Sequence, residues 1–130
     1  MARTQTHAQA QTQREPAAAQ VLTRATLRAA DNLGLTQRDL SSILGVSAAS
    51  ISRLGKSRLI DQGSKEWELA LLFLRLFRSL DSIVGGDVSA ARAWVHAEND
   101  HLGGVPRELV ARVDGIVRVV EYLDALRGKS

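Results

Sequence analysis

Apolar residues recur along most of this chain at the three- and four-residue spacing of helices that bury one face. The pattern starts at Ala17, where Val21, Leu22, Ala25, Leu27 and Ala29 alternate with polar positions up to Leu33. Asn32, Gly34 and Thr36 break it, and Gly34 suits the left-handed residue that commonly follows a helix. Thr36 then predicts a capped short helix with Leu40, Ile43 and Leu44 inward, and Asp39 in the first turn where the helix dipole favours it. Gly45 ends that helix, Val46 plugs the turn, and Ser47 caps a second short helix burying Ile51 and Leu54. Ser41 is small where two helices crossing near a right angle need close approach. Two short helices around a tight glycine turn are a helix-turn-helix.

A second pattern follows Gly63. Ser64 predicts a capped helix running through Trp67, Leu69, Leu72, Phe73, Leu76, Phe77 and Leu80, apolar nearly all round. Such a helix is expected at the centre of the fold, shared with a second subunit, or both; a homodimer through Ser64–Leu80 is the expectation. Gly85 and Gly86 interrupt, and Asp87 caps a helix carrying Val88, Ala91, Trp94 and Val95. Asn99, Gly103 and Gly104 end it, and Pro106 sits where a first helical turn tolerates proline. Leu109, Val110 and Val113 come next. Asp114 and Gly115 open a last helix with Ile116, Val119, Val120, Leu123 and Leu126 on one face. The expected fold is all-α, divided as an arm over 1–16, a DNA-binding region over 17–62 and a partner-binding and dimerisation region over 63–130.

Residues 1–16 are rich in Gln, Thr and Ala, lack apolar periodicity and close on Pro16, which reads as a flexible arm. Composition agrees with helices: Ala, Leu and Arg are plentiful and there are only two prolines. With no cysteine, disulfides and thiolate metal sites are excluded. No apolar signal segment opens the chain, and its longest unbroken apolar run, Leu69 to Leu74, is far short of the roughly 20 residues a membrane span needs. A cytoplasmic protein is the expectation.

Charge is unevenly spread. Residues 1–60 hold eight Arg/Lys against three Asp/Glu, while residues 61–130 hold nine against eleven. The basic half is the one carrying the helix-turn-helix, where the second helix would enter the major groove. Its expected DNA-facing residues are Ser47, Ala48, Ala49, Ser50, Ser52 and Arg53, whose small side chains permit close approach to base edges. Gln37 and Arg38 at the start of the first helix, with Lys56 and Arg58 after the second, are the expected phosphate contacts. His96 and His101, with Glu98 and Asp100 between them, fall short of a zinc site's ligand set and geometry. No nucleophile triad, phosphate loop or dinucleotide fingerprint is present, so neither an enzyme nor a cofactor is expected.

From Ser64 to Gly128 the chain resembles the toxin-binding module of the Xre/MbcA/ParS-type antitoxins. The resemblance is carried by Arg75–Asp81 (RLFRSLD), the Gly85-Gly86-Asp87 break, Ala93-Trp94, Asn99–Leu109 (NDHLGGVPREL) and Gly115–Gly128 (GIVRVVEYLDALRG). With the Xre-like helix-turn-helix before it, the likeness spans roughly 110 residues. It implies an antitoxin that occludes the active site of a RES-type, NAD-consuming toxin and represses its own operon. Trp94 and Asn99 match signature positions of the family, though Trp94 also reads as core and Asn99 as a helix-ending residue. Tyr122, Arg127, Gly128 and Lys129 are the expected toxin contacts, since a terminal segment can reach into a partner's cleft. Two other readings of the residues stay open: a stand-alone dimeric repressor, and an adaptor without DNA affinity.

Overall fold

The computed structural model describes the backbone of residues 2–128 and the side chains of residues 17–128; Lys129 lies outside the described residues. The described residues form seven helices: α1 (Ala2–Asn32), α2 (Gln37–Leu44), α3 (Ala48–Arg53), α4 (Lys65–Ile83), α5 (Val88–His96), α6 (Pro106–Leu109) and α7 (Val113–Gly128).

Helix α1 begins well before Ala17, so the segment read as an arm continues the helix through Pro16. Ala, Gln and Arg in that segment are good helix formers even without an apolar stripe. Within the side chains described, α1 buries Ala19, Leu22, Thr23, Thr26, Ala29 and Ala30, and Leu33 just after it is buried too. Val21 falls off this stripe and is 66% exposed, contrary to its place in the expected apolar pattern. Two threonines lie inside it because each hydroxyl is used. Thr26 Oγ1 donates to the Leu22 carbonyl at 2.8 Å, and Thr23 Oγ1 accepts from the Ile60 amide at 2.9 Å. The second bond pins the chain after α3 onto α1. Gly34 ends α1 at φ 67°, with the Leu35 amide bonded back to the Ala30 carbonyl.

Helix α4 is the hub. It packs against α1 and α2 on one side and against α7 and α5 on the other. Leu69, Ala70, Phe73, Leu76 and Leu80 are buried along it, and one continuous core runs from Leu22 on α1 to Leu123 on α7. Burial of a side chain such as Phe73 is worth about 1.5–3 kcal/mol. The expectation that this helix is central therefore holds, and most of its apolar surface is covered within one chain. What stays open is a strip in which Leu71, 49% exposed, lies with Trp67 and Leu74 beside Ala17, Val21 and Ala25 of α1.

Polar contacts fasten the C-terminal helices to the first two. Arg92 on α5 donates to the carbonyls of Asp31 and Asn32 at the end of α1, at 3.1 and 3.3 Å. His96 Nε2 lies 2.9 Å from the Leu33 carbonyl, and Arg107 on α6 donates to Asp39 on α2 at 3.2 Å. On the far side, buried Ser79 donates to Asp124 at 2.7 Å, and Arg75 pairs with the same carboxylate at 2.5 Å.

Both carboxylates are more acidic than usual. Burial works to raise Asp39, but the Thr36 amide, the Arg107 guanidinium and the Thr36 hydroxyl outweigh it and hold it below 3.8. Asp124 is lowered first by the Ser79 hydroxyl, against some burial, and further by Arg75 and Arg127. A carboxylate more acidic when folded stabilises the fold above its unfolded pKa, and that stability is lost as pH falls through the folded value. Denaturant midpoints should therefore drop as the pH is taken below about 4, and the drop should be shallower in Asp124→Asn. Equal acid slopes in the two proteins would contradict this account.

Candidate nucleic-acid interface and partner-binding face

The turn between α2 and α3 is built as its residues dictate. Thr36 and Asp39 close a reciprocal capping box: the Asp39 amide donates to Thr36 Oγ1 at 3.1 Å and the Thr36 amide to Asp39 Oδ2 at 2.9 Å. Gly45 takes the left-handed conformation at φ 68°, and the Ser41 hydroxyl donates to the Val46 carbonyl, tying the turn shut. Ser47 caps α3 by accepting from the Ser50 amide at 3.1 Å.

Helix α3 presents Ala48, Ala49, Ser52 and Arg53 to solvent, while Ile51 and Leu54 seat it on the core. The hydroxyls of Ser47 and Ser50 bond each other at 3.1 Å, and Ser52 donates to the Ala49 carbonyl at 2.8 Å. All three serines are thus already oriented. Gln37 and Arg38 are exposed on α2, and Gln37, Ser52 and Lys56 line one shallow concavity. Arg38 lines a separate concavity with Ser42 and Arg107.

Arg58 does not join them. Its Nη2 lies 2.7 Å from both carboxylate oxygens of Glu66, which is only 7% exposed. The expectation of a phosphate contact there is corrected: Arg58 ties the strand-like segment after α3 to the start of α4. Its partner sits eight residues on across a loop, a pairing with no helical or strand periodicity to reveal it. Sequence reasoning also passed over Arg24 and Arg28, which α1 holds exposed and one turn apart.

The C-terminal face is aromatic. Trp94 of α5 stacks on Tyr122 of α7 with ring centroids 6.4 Å apart and planes 14° from parallel, and His101 lies against the same tyrosine at 5.9 Å. All three remain accessible to some degree, so Trp94 is a bridge at the surface rather than a fully buried core residue. Asn99 organises the loop before α6: its side chain accepts from the Leu102 amide at 3.0 Å, and its backbone pairs with Gly104. Arg127 and Gly128 stand exposed at the end of α7, where Arg127 shares the rim of the apolar strip with Arg75 and Arg78.

A capped, glycine-turned pair of short helices with an exposed second helix, joined to a helical module, defines a helix-turn-helix protein with an appended binding domain. Comparison with protein families agrees for both parts. Residues 12–75 match the family model of the antitoxin Xre-like helix-turn-helix domain, and residues 79–129 match that of the antitoxin Xre/MbcA/ParS C-terminal toxin-binding domain. The chain belongs to the Xre/MbcA/ParS-type antitoxins. It is a toxin–antitoxin protein with a DNA-binding and a toxin-binding domain. Comparison with curated proteins finds no match. The two matched stretches meet inside α4, whereas the boundary read at 62/63 falls in the connection ahead of it. Among the described residues no helix is long and apolar enough to cross a membrane.

Proposed function

We propose that this antitoxin neutralises a RES-type, NAD-consuming toxin by covering its active site, and represses its own operon through α3. It is not an enzyme and acts in the cytoplasm. The observation that carries the first half is the end of α7, where Arg127 and Gly128 stand exposed beyond the last core residue, Leu123, one turn past half-buried Tyr122 and its stack on Trp94. An exposed helix end with a cationic side chain, next to an accessible aromatic pair, is a shape that can enter a cleft. Lys129 would extend the same reach, and Asn99 would hold the adjoining loop rather than touch the toxin. For the second half, the pre-oriented serines and alanines of α3 supply a low, polar surface suited to base edges. The protein works as a homodimer, with the open α1/α4 strip around Val21 and Leu71 as the contact, and its two reading helices address successive half-sites.

Co-expression with the product of the neighbouring gene tests this reading. The chain should restore growth and co-purify with that protein. Deletion of residues 127–130 should abolish rescue without unfolding the chain, since Leu123 is retained. In the same preparations Leu71→Glu should shift the antitoxin to monomer by light scattering. Growth arrest persisting with the intact chain, and no complex, would sink the toxin-binding half and leave a dimeric repressor.

A further inference from the structure

The cations of this protein divide into two populations. In the C-terminal half nearly every described Arg or Lys is engaged: Lys65 with Glu68, Arg75 with Asp124, Arg92 with α1 carbonyls, Arg107 with Asp39, Arg112 with Asp114 and Arg118 with the Leu102 carbonyl. Arg78 is the exception. Between residues 17 and 56 the reverse holds. Arg24, Arg28, Arg38, Arg53 and Lys56 have no side-chain partner among the described residues, and all are exposed. Unpaired cations concentrated in one domain call for an anionic partner from outside.

Three of these cations adjoin one another through the fold. Arg24 and Arg28 lie four residues apart on α1, hence on one helix face. Leu27, beside them, packs under the turn that follows α3, so closely that a Cβ on Gly55 would come within 2.9 Å of Leu27 Cδ1. Arg24 and Lys56 consequently line one groove, and Lys56 also borders the concavity shared with Gln37 and Ser52. Cations therefore follow one another from the reading helix, across the turn, and onto α1. Asp31 is the acidic side chain bordering that concavity.

We propose that Arg24, Arg28 and Lys56 form a second phosphate-binding strip, on which α1 holds the duplex backbone flanking the major groove occupied by α3. The ligand is the DNA phosphodiester chain, recognised by charge and spacing and not by base identity. This inference rests on α3 being the DNA-reading helix. Neutralising a cation that contacts a phosphate removes about 0.9 from the slope of log affinity against log salt.

The test measures binding by fluorescence anisotropy over a salt series, using a labelled duplex from upstream of the protein's own reading frame and a shuffled duplex. The double variant Arg24→Gln/Arg28→Gln should flatten the slope by about 1.8 and weaken both duplexes by a similar factor, leaving their ratio unchanged. Arg112→Gln, which removes a charge from an exposed ion pair with Asp114 in the toxin-binding domain, should leave the slope as it is. An unaltered slope in the double variant, with the wild-type protein binding normally, overturns the strip alone. A comparable effect per charge from Arg112→Gln also overturns it, since net charge would then be the cause. Wild-type protein that binds neither duplex overturns the reading of α3 together with the strip.

Discussion

Gly115→Ala should strongly destabilise the toxin-binding module while Gly128→Ala leaves its stability unchanged. Gly115 is buried in the first turn of α7, and a Cβ placed there would lie 1.8 Å from the Leu109 carbonyl oxygen and 2.8 Å from its carbon. The obstruction is backbone, so no rotamer change relieves it. The α6–α7 corner must open, and Ile116, Val119 and Val120 on the same helix must lose their packing. Overpacking of this kind costs about 1–3 kcal/mol, and a fixed carbonyl in the way puts this site at or above the upper end. At Gly128 no atom lies within 4 Å of the added methyl. Urea denaturation of the two variants checks this: the Gly115→Ala midpoint should fall sharply, with toxin binding lost at temperatures where the wild type retains it. A Gly115→Ala midpoint matching that of the wild type would refute the close approach.

The second large effect should come from Glu66→Ala. Glu66 is buried and holds Arg58 through two bonds of 2.7 Å, while the Asp61 amide approaches the same carboxylate at 3.5 Å. Removing it strands a guanidinium whose Nη1 already lacks a partner. Breaking a fully buried pair costs about 3–5 kcal/mol. Here the Arg58 side chain keeps 25% of its exposure, so about 2–3 kcal/mol is the expected loss. Because the pair fastens the segment after α3, DNA affinity should fall as well, although neither residue is expected to touch DNA. Arg58→Met/Glu66→Leu should recover most of the stability, since an apolar pair of similar size removes the desolvated charge altogether. If Glu66→Ala unfolds at the wild-type midpoint in thermal and denaturant melts, the pair is dispensable.

The helix-turn-helix was legible because its determinants are local. Thr36, Asp39, Gly45 and Ser47 act within four residues of their partners, and each stands where the spacing of Leu40, Ile43, Ile51 and Leu54 requires. The same holds for Ser64, Asp87 and Pro106 at the starts of later helices. What escaped was contact between distant parts of the chain. Arg107 meets Asp39 across 68 residues and Arg92 meets Asp31 across 61, and an arginine gives no sign in sequence of which distant acceptor it will reach. Phase errors were the other loss. Val21, Val88 and Val113 were counted among apolar helix positions but stand 66%, 41% and 61% exposed. Alanine-rich flanks leave several rotations of α1 nearly equal in apolar content, and only packing against α4 and the Ile60–Thr23 bond decides among them. The exposure of Ala48, Ala49, Ser52 and Arg53 on α3 was legible in the motif. The nearness of Arg24 to Lys56 was not, because nothing local reveals that the turn after α3 lies over Leu27.

Helix α4 belongs to both halves, and this constrains how such proteins can be recombined. A chimaera that takes its reader from one antitoxin and its toxin-binding module from another must be joined within or beside a continuous helix. Each residue gained or lost at the seam turns everything beyond it by about 100° and displaces it by about 1.5 Å. The clasps from Arg92 and Arg107 would then miss their acceptors, and the two specificities could not be exchanged freely. Pairing of operator and toxin is in that sense written into the phase of a single helix, so that new combinations arise by substitution within matched halves more readily than by shuffling them.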